Sequence, residues 1–137
     1  MKANWPPFEE FIDHILNENS YPGLAAFQDI DSTSYDEVPF VSWTVIVQGQ
    51  KAHGLWDVVL AFTVMCETKD ADKILSHLYA QIHGWESLDK GELTSKRIGV
   101  ESVRDVAGFD RIHAVFMNGR HVSQFTAQFG LTINDFS

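Results

Sequence analysis

The sequence predicts an α+β domain: a mostly antiparallel sheet of about four strands with two helices packed on one face, in the order helix-strand-strand-helix-strand-strand. Three observations predict it. At the end of the chain, Phe125, Ala127, Phe129, Leu131 and Ile133 alternate with Gln124, Thr126, Gln128, Gly130 and Thr132, the period of a half-buried strand. Upstream, residues 40–48 and 56–68 carry the same alternation on either side of a short polar connection, which makes them an antiparallel hairpin. Between these regions, Ala71, Ile74, Leu75, Leu78 and Ile82 follow the spacing of one helix face.

The elements follow in order. Asn4-Trp5-Pro6-Pro7 reads as a helix start, since proline suits the first turn and Glu9 and Glu10 suit the positive end of the helix dipole. Phe8, Phe11, Ile12, Ile15 and Leu16 then predict a helix over residues 7–17, stopped by Tyr21-Pro22-Gly23. Residues 24–38 read as an exposed loop, acidic in its second half. In the first strand Val41, Trp43, Val45 and Val47 share a face, and Gly49 ends it. In the second, Val58, Leu60, Phe62, Val64 and Cys66 share one. Thr68 or Asp70 is placed to cap the central helix, and Gly84 to terminate it as its C′ residue. Residues 86–97 are a polar surface connection. Ile98-Gly99-Val100 opens a third strand, with a slip in alternation between Val100 and Val103 that marks a bulge. Residues 107–122 read as a long irregular stretch containing an Asn118-Gly119 turn, before the closing strand.

At 137 residues and 45% hydrophobic content, residues 1–137 form a single domain able to bury a sizeable core. The lone cysteine, Cys66, excludes an intramolecular disulfide framework and reads as a buried thiol. Nineteen acidic against ten basic residues leave a net charge of −9, which repels phosphate backbones and argues against specific nucleic-acid binding. Residues 1–8 lack a signal-peptide core, and no run approaches the roughly 18 apolar residues of a membrane span. A soluble protein, made in the cytoplasm and with no membrane partner, is therefore expected.

Motifs that carry chemistry are not evident, and the expectation is a protein that is not an enzyme, with no catalytic residues, no cofactor and no metal. His77 and His83 lie six apart on the central helix, about 120° off a common face, and read as solvated positions. His113 and His121 flank the Asn118-Gly119 turn and are placed to face each other across a hairpin, without a third ligand. His14 and His53 read as surface residues. Gly108-Phe109-Asp110-Arg111 is read as a turn between strands. The adjacent pairs Glu9-Glu10 and Asp36-Glu37 do not form an acid/base dyad. The apolar part of residues 107–122 stands out instead, because an isolated protomer must fold it back or leave a sticky patch.

With this order of elements, the chain resembles the tail terminator (tail completion) proteins of long-tailed bacteriophages. The resemblance covers residues 8–134. It rests on the short N-terminal helix leading into Pro39-Phe40-Val41-Ser42-Trp43, the strand 58–66, the helical stretch ADKILSHLYAQI, the segment GVESVRDV, and the closing QFTAQFGLTI behind an arginine-bearing loop. It implies a homo-oligomeric ring, typically a hexamer, that caps the tail tube, stops its growth and joins it to the head connector. The implied partners are further copies of the chain, the tail tube protein and the head-to-tail connector protein, with DNA only passing through a lumen, for which negative charge is suited. The implied location is the head-proximal end of the virion tail, after assembly in the host cytoplasm. Candidate subunit or partner contacts are Phe109, Ile112, Phe116 and Met117, with Arg111 and Arg120 as charged rim partners. The alternatives are another head-to-tail joining or tail-assembly component and, in a different class, a small ligand-binding or enzymatic α+β domain with a pocket between helix and sheet.

Overall fold

The computed structural model describes residues 5–18, 20–28, 39–87, 98–117 and 119–135. They form α1 (Phe8–Asn17), β1 (Ala25–Gln28), β2 (Phe40–Ala52), β3 (Leu55–Glu67), α2 (Ala71–Gly84), β4 (Ile98–Met117) and β5 (Arg120–Asp135). The α+β class holds, but the sheet has five strands rather than four and is mixed rather than purely antiparallel, in the order β1-β2-β3-β5-β4. The additional strand is β1, which pairs parallel to β2 from Ala25 opposite Phe40 to Gln28 opposite Trp43. Four residues are too few to show a period, and so Ala25–Gln28 reads as loop from sequence alone. The acidic residues 29–37 lie outside the described residues, as do most of 86–97.

Both helices cover one face of the sheet. Phe8, Phe11, Ile12, Ile15 and Leu16 of α1 and Ala71, Ile74, Leu78 and Ile82 of α2 are buried against Trp43, Leu60, Phe62, Phe129 and Leu131. The period-two rule places these strand residues on a common face, and each alternate position points the other way. That opposite face carries Ser42, Thr44, Ala61, Thr63, Thr126 and Gln128, with a small second cluster of Phe40, Met65 and Val122 at one end. Among the described residues no helix is long and apolar enough to cross a membrane.

Several local readings change. Gly49 does not end β2; it sits at φ +148° at a register shift, a backbone setting that a bulge needs and L side chains rarely adopt. The hairpin turns instead at His53 and Gly54, with Ala52 opposite Leu55. Gly84 is the last residue of α2 rather than a left-handed C′ residue, and the chain runs on into a 3-10 turn at Trp85–Ser87. Neither Thr68 nor Asp70 caps α2: Asp70 makes no side-chain cap bond, and the Thr68 hydroxyl lies 2.7 Å from that of the buried Ser123. Satisfying the hydroxyl of the buried Ser123 is worth more there than one exposed cap.

Cys66 is fully buried on β3. Burial, with the nearby Asp70 carboxylate adding, pushes its thiol from 9.0 up to about 11. At pH 8 the native protein is therefore expected to resist a thiol reagent and to release one reactive thiol per chain on denaturation in urea. Rapid labelling of the folded protein would show that the core around β3 opens locally.

Candidate assembly surface

The stretch 107–122, expected to be irregular, is the far half of a continuous hairpin. β4 runs 20 residues and β5 runs 16, and the difference is taken up by four register shifts, between Val100 and Ser102, Asp105 and Ala107, Ala107 and Asp110, and Arg111 and His113. Each shift inserts one residue into β4. A one-residue insertion flips the phase of a strand, which is why alternation is invisible in this part of the sequence although the backbone is extended throughout. Gly108-Phe109-Asp110-Arg111 is accordingly part of the strand and not a turn.

Among the described residues β4 is an edge of the sheet, paired on its β5 side alone. It carries three of the exposed large apolar side chains: Val106 at 51%, Ile112 at 55% and Phe116 at 66% of full exposure. Val106 and Ile112 are the inserted residues at two of the shifts, where a bulge re-aims a side chain away from the regular pleat. The same bulges interrupt the free row of backbone N–H and C=O groups, so β4 is a poor template for adding another strand.

The six candidate contact residues divide. Ile112 and Phe116 stand in solvent, the Phe116 ring lying against His121 with ring centres 4.6 Å apart. Arg111 is exposed, its guanidinium 5.3 Å from the centre of the Phe125 ring, a cation–π contact that holds it on the helix-bearing face. Phe109 is half-buried, packed against the edge of the core and edge-on to Phe129 at 5.9 Å. Arg120 is half-buried and borders a cleft of about 410 Å³ with Glu67, Lys69 and His121. Met117 pairs with Arg120 through the backbone, and its side chain lies outside the described residues. Asn118 lies outside them as well, while Gly119 has φ +76°, as a tight turn requires.

A polar clamp ties β4 to α2. The Tyr79 hydroxyl donates to Asp105 Oδ2 at 2.7 Å, and His83 Nε2 lies 2.7 Å from Oδ1, donating since an ionised carboxylate can only accept. The two rings sit against each other at 4.4 Å and both meet Phe129. His83 is thus partly exposed and engaged by Asp105, and His77 has the Tyr21 ring edge-on at 5.7 Å. The spacing of Tyr79 and His83, four apart on one helix face, is the signal that could have found this clamp. His113 and His121 do not face each other: their cross-strand partners are Gln124 and Phe116.

The Tyr79 hydrogen bond, followed by that from His83, holds Asp105 below its ordinary 3.8. A lowered folded value means that the clamp's contribution is complete above the ordinary carboxylate pKa and is lost as pH falls through the lower folded one. The Tyr79 hydroxyl is raised above its ordinary 10.0 by the same bond, so its share is lost as pH rises past that value. Asp105→Asn is expected to lower the urea midpoint at neutral pH, and the gap from wild type should close as pH drops below about 3.8. A gap of constant size from pH 7 to pH 3 would mean that the carboxylate charge contributes nothing.

Two further concavities lie elsewhere. One, of about 410 Å³, opens on the helix-free face and is lined by Ser42, Thr44, Thr63, Thr126 and Gln128 with alanines, offering hydrogen bonds but no acid, base or strong nucleophile. The other, of about 600 Å³, lies where α1 begins, between Trp5, Phe8, Glu9, Glu10, Val45 and Val47. Among the described residues no group of three His, Cys, Asp or Glu side chains is placed to hold a metal ion. No family model matches the chain, and no curated protein matches it.

Proposed function

We propose that this protein is a structural component of a phage tail, a terminator whose copies form a ring that caps the tail tube and joins it to the head connector. The observation that carries the reading is the β4 edge, a 20-residue strand presenting Ile112 and Phe116 to solvent while Phe109 and Val115 of the same stretch are half-buried against the core clusters. Isolated exposed apolar residues are ordinary, but two on one edge strand, with Val106 a third, are what a subunit contact is made of. The order of elements that carries the resemblance to tail terminators supports the same role. A net charge of −9 suits a ring through which DNA slides without being held.

The test is the solution mass of the purified protein by size exclusion with light scattering over a wide concentration range, then negative-stain imaging of the largest species. Rings of about six copies, alone or on tube ends, are the expected result. A monomer at every concentration, with none bound to tail tubes, would sink the reading. A small-ligand-binding domain would then take its place, with the concavity on the helix-free face as the site to probe.

A further inference from the structure

We infer that subunits join head to tail, the β4 segment 111–116 of one copy seating in the groove at the start of α1 of the next. This rests on the ring reading and names the surfaces that would make it. The two surfaces are complementary in chemistry. The segment 111–116 is Arg-Ile-His-Ala-Val-Phe, with no acidic residue, and Asp110, its acidic neighbour, pairs with Thr126 and so points to the helix-free face. Asp105 is engaged by Tyr79 and His83. On the helix-bearing face the segment therefore presents Arg111 and Phe116, with Ile112 beside them at its bulge.

The groove has the opposite character. Its walls are apolar: Trp5, 69% exposed, stands edge-on to Phe8 and Trp56 with ring centres 5.5 and 5.4 Å away, and Val45 and Val47 of β2 form the floor. Its rim carries the exposed carboxylates of Glu9 and Glu10, and among the described residues no lysine or arginine lines it. Like β4, it opens on the helix-bearing side. An apolar strip beside an arginine thus faces an apolar groove beside two carboxylates.

Placement decides the symmetry. The groove lies at β2 and the strip at β4, on opposite sides of the sheet order β1-β2-β3-β5-β4. Two different patches that recognise each other propagate from copy to copy unless both pairs are made between the same two copies about a two-fold axis, and a propagating rotation that closes makes a ring. A second copy of this chain is therefore the occupant that both surfaces fit.

Two single-site variants test this, Ile112→Cys and Glu9→Cys, with the native Cys66 buried and out of reach. Each is treated alone and in equal mixture with a short bis-maleimide. The expected result is a cross-linked dimer in the mixture and not in either variant alone, and a ladder running beyond dimer when both cysteines are carried on one chain; a two-fold pair would stop at dimer and overturn the head-to-tail arrangement. In parallel, Arg111→Glu should raise the dissociation constant for self-association about tenfold, and adding Glu9→Arg and Glu10→Arg to the same chain should restore it. A dimer from Ile112→Cys alone would show a two-fold contact along β4 and overturn the head-to-tail arrangement. Oligomers by light scattering with no cross-link in the mixture would overturn these surfaces while leaving the ring reading in place. Absence of both oligomer and cross-link would overturn the two together.

Discussion

Phe129→Ala is expected to destabilise the protomer by about 3–5 kcal/mol, the range for removing a buried phenyl ring and leaving a cavity. The residue is 1% exposed at the middle of β5 and is the point at which the layers meet. Phe62 of β3, Phe109 of β4 and both Tyr79 and His83 of α2 place their rings within about 6 Å of it. Truncation therefore removes hydrophobic burial and also the ring on which the β4–α2 clamp rests. Against a total stability of roughly 5–15 kcal/mol this is a large fraction, and the melting temperature should fall by roughly 10 °C. Urea denaturation followed by tryptophan fluorescence measures it, with Phe116→Ala as the control, expected within about 0.5 kcal/mol of wild type because its ring is in solvent. A loss below about 1 kcal/mol at Phe129 would mean that the site collapses around the deletion and that the aromatic cluster is not the keystone described.

Ile112→Asp combined with Phe116→Asp is expected to weaken self-association by about 100-fold or more while leaving the urea midpoint of the protomer unchanged. Burying an unpaired carboxylate in an apolar contact costs more than truncation does, and central contact residues commonly carry about 2 kcal/mol each. The folded protomer loses nothing, since both side chains are more than half exposed. Light scattering and denaturation on the same preparation separate the two effects. Unfolding of the double variant would place these side chains in the protomer core and remove β4 as a contact surface. Full assembly with normal stability would move the contact elsewhere on the molecule.

The elements with a long, clean period were legible. Five apolar residues at helical spacing suffice for α1 and α2, and the closing strand and the β2–β3 hairpin announce themselves by alternation because one face meets the helices and the other does not. The slip near Val100 also reads correctly as a bulge, since a single interruption leaves the phase on either side visible. The far half of β4 was not legible, for the same reason multiplied: with shifts at Val106, in the 108–109 stretch and at Ile112, no run is long enough to establish a period. Ile112 and Phe116 belong to an apolar stretch that an isolated protomer must fold back or leave exposed, and both side chains are exposed. Phe109, from the same stretch, is half-buried against the core, a difference that local spacing does not encode.

What the sequence determined by itself is what depends on neighbours a few residues away: helical and strand periods, the proline-rich start of α1, the charge balance and the lack of a disulfide framework. Tertiary structure decided whatever depends on residues far apart in the chain. The parallel docking of the four-residue β1 on β2 is one case, and the meeting of Tyr79 and His83 with Asp105, more than 20 residues away, is another. The separation of Phe109 from Phe116 is the third, because burial is a property of what packs on top of a side chain. Local spacing encodes which face a residue points to; only the assembled layers decide whether anything stands on that face.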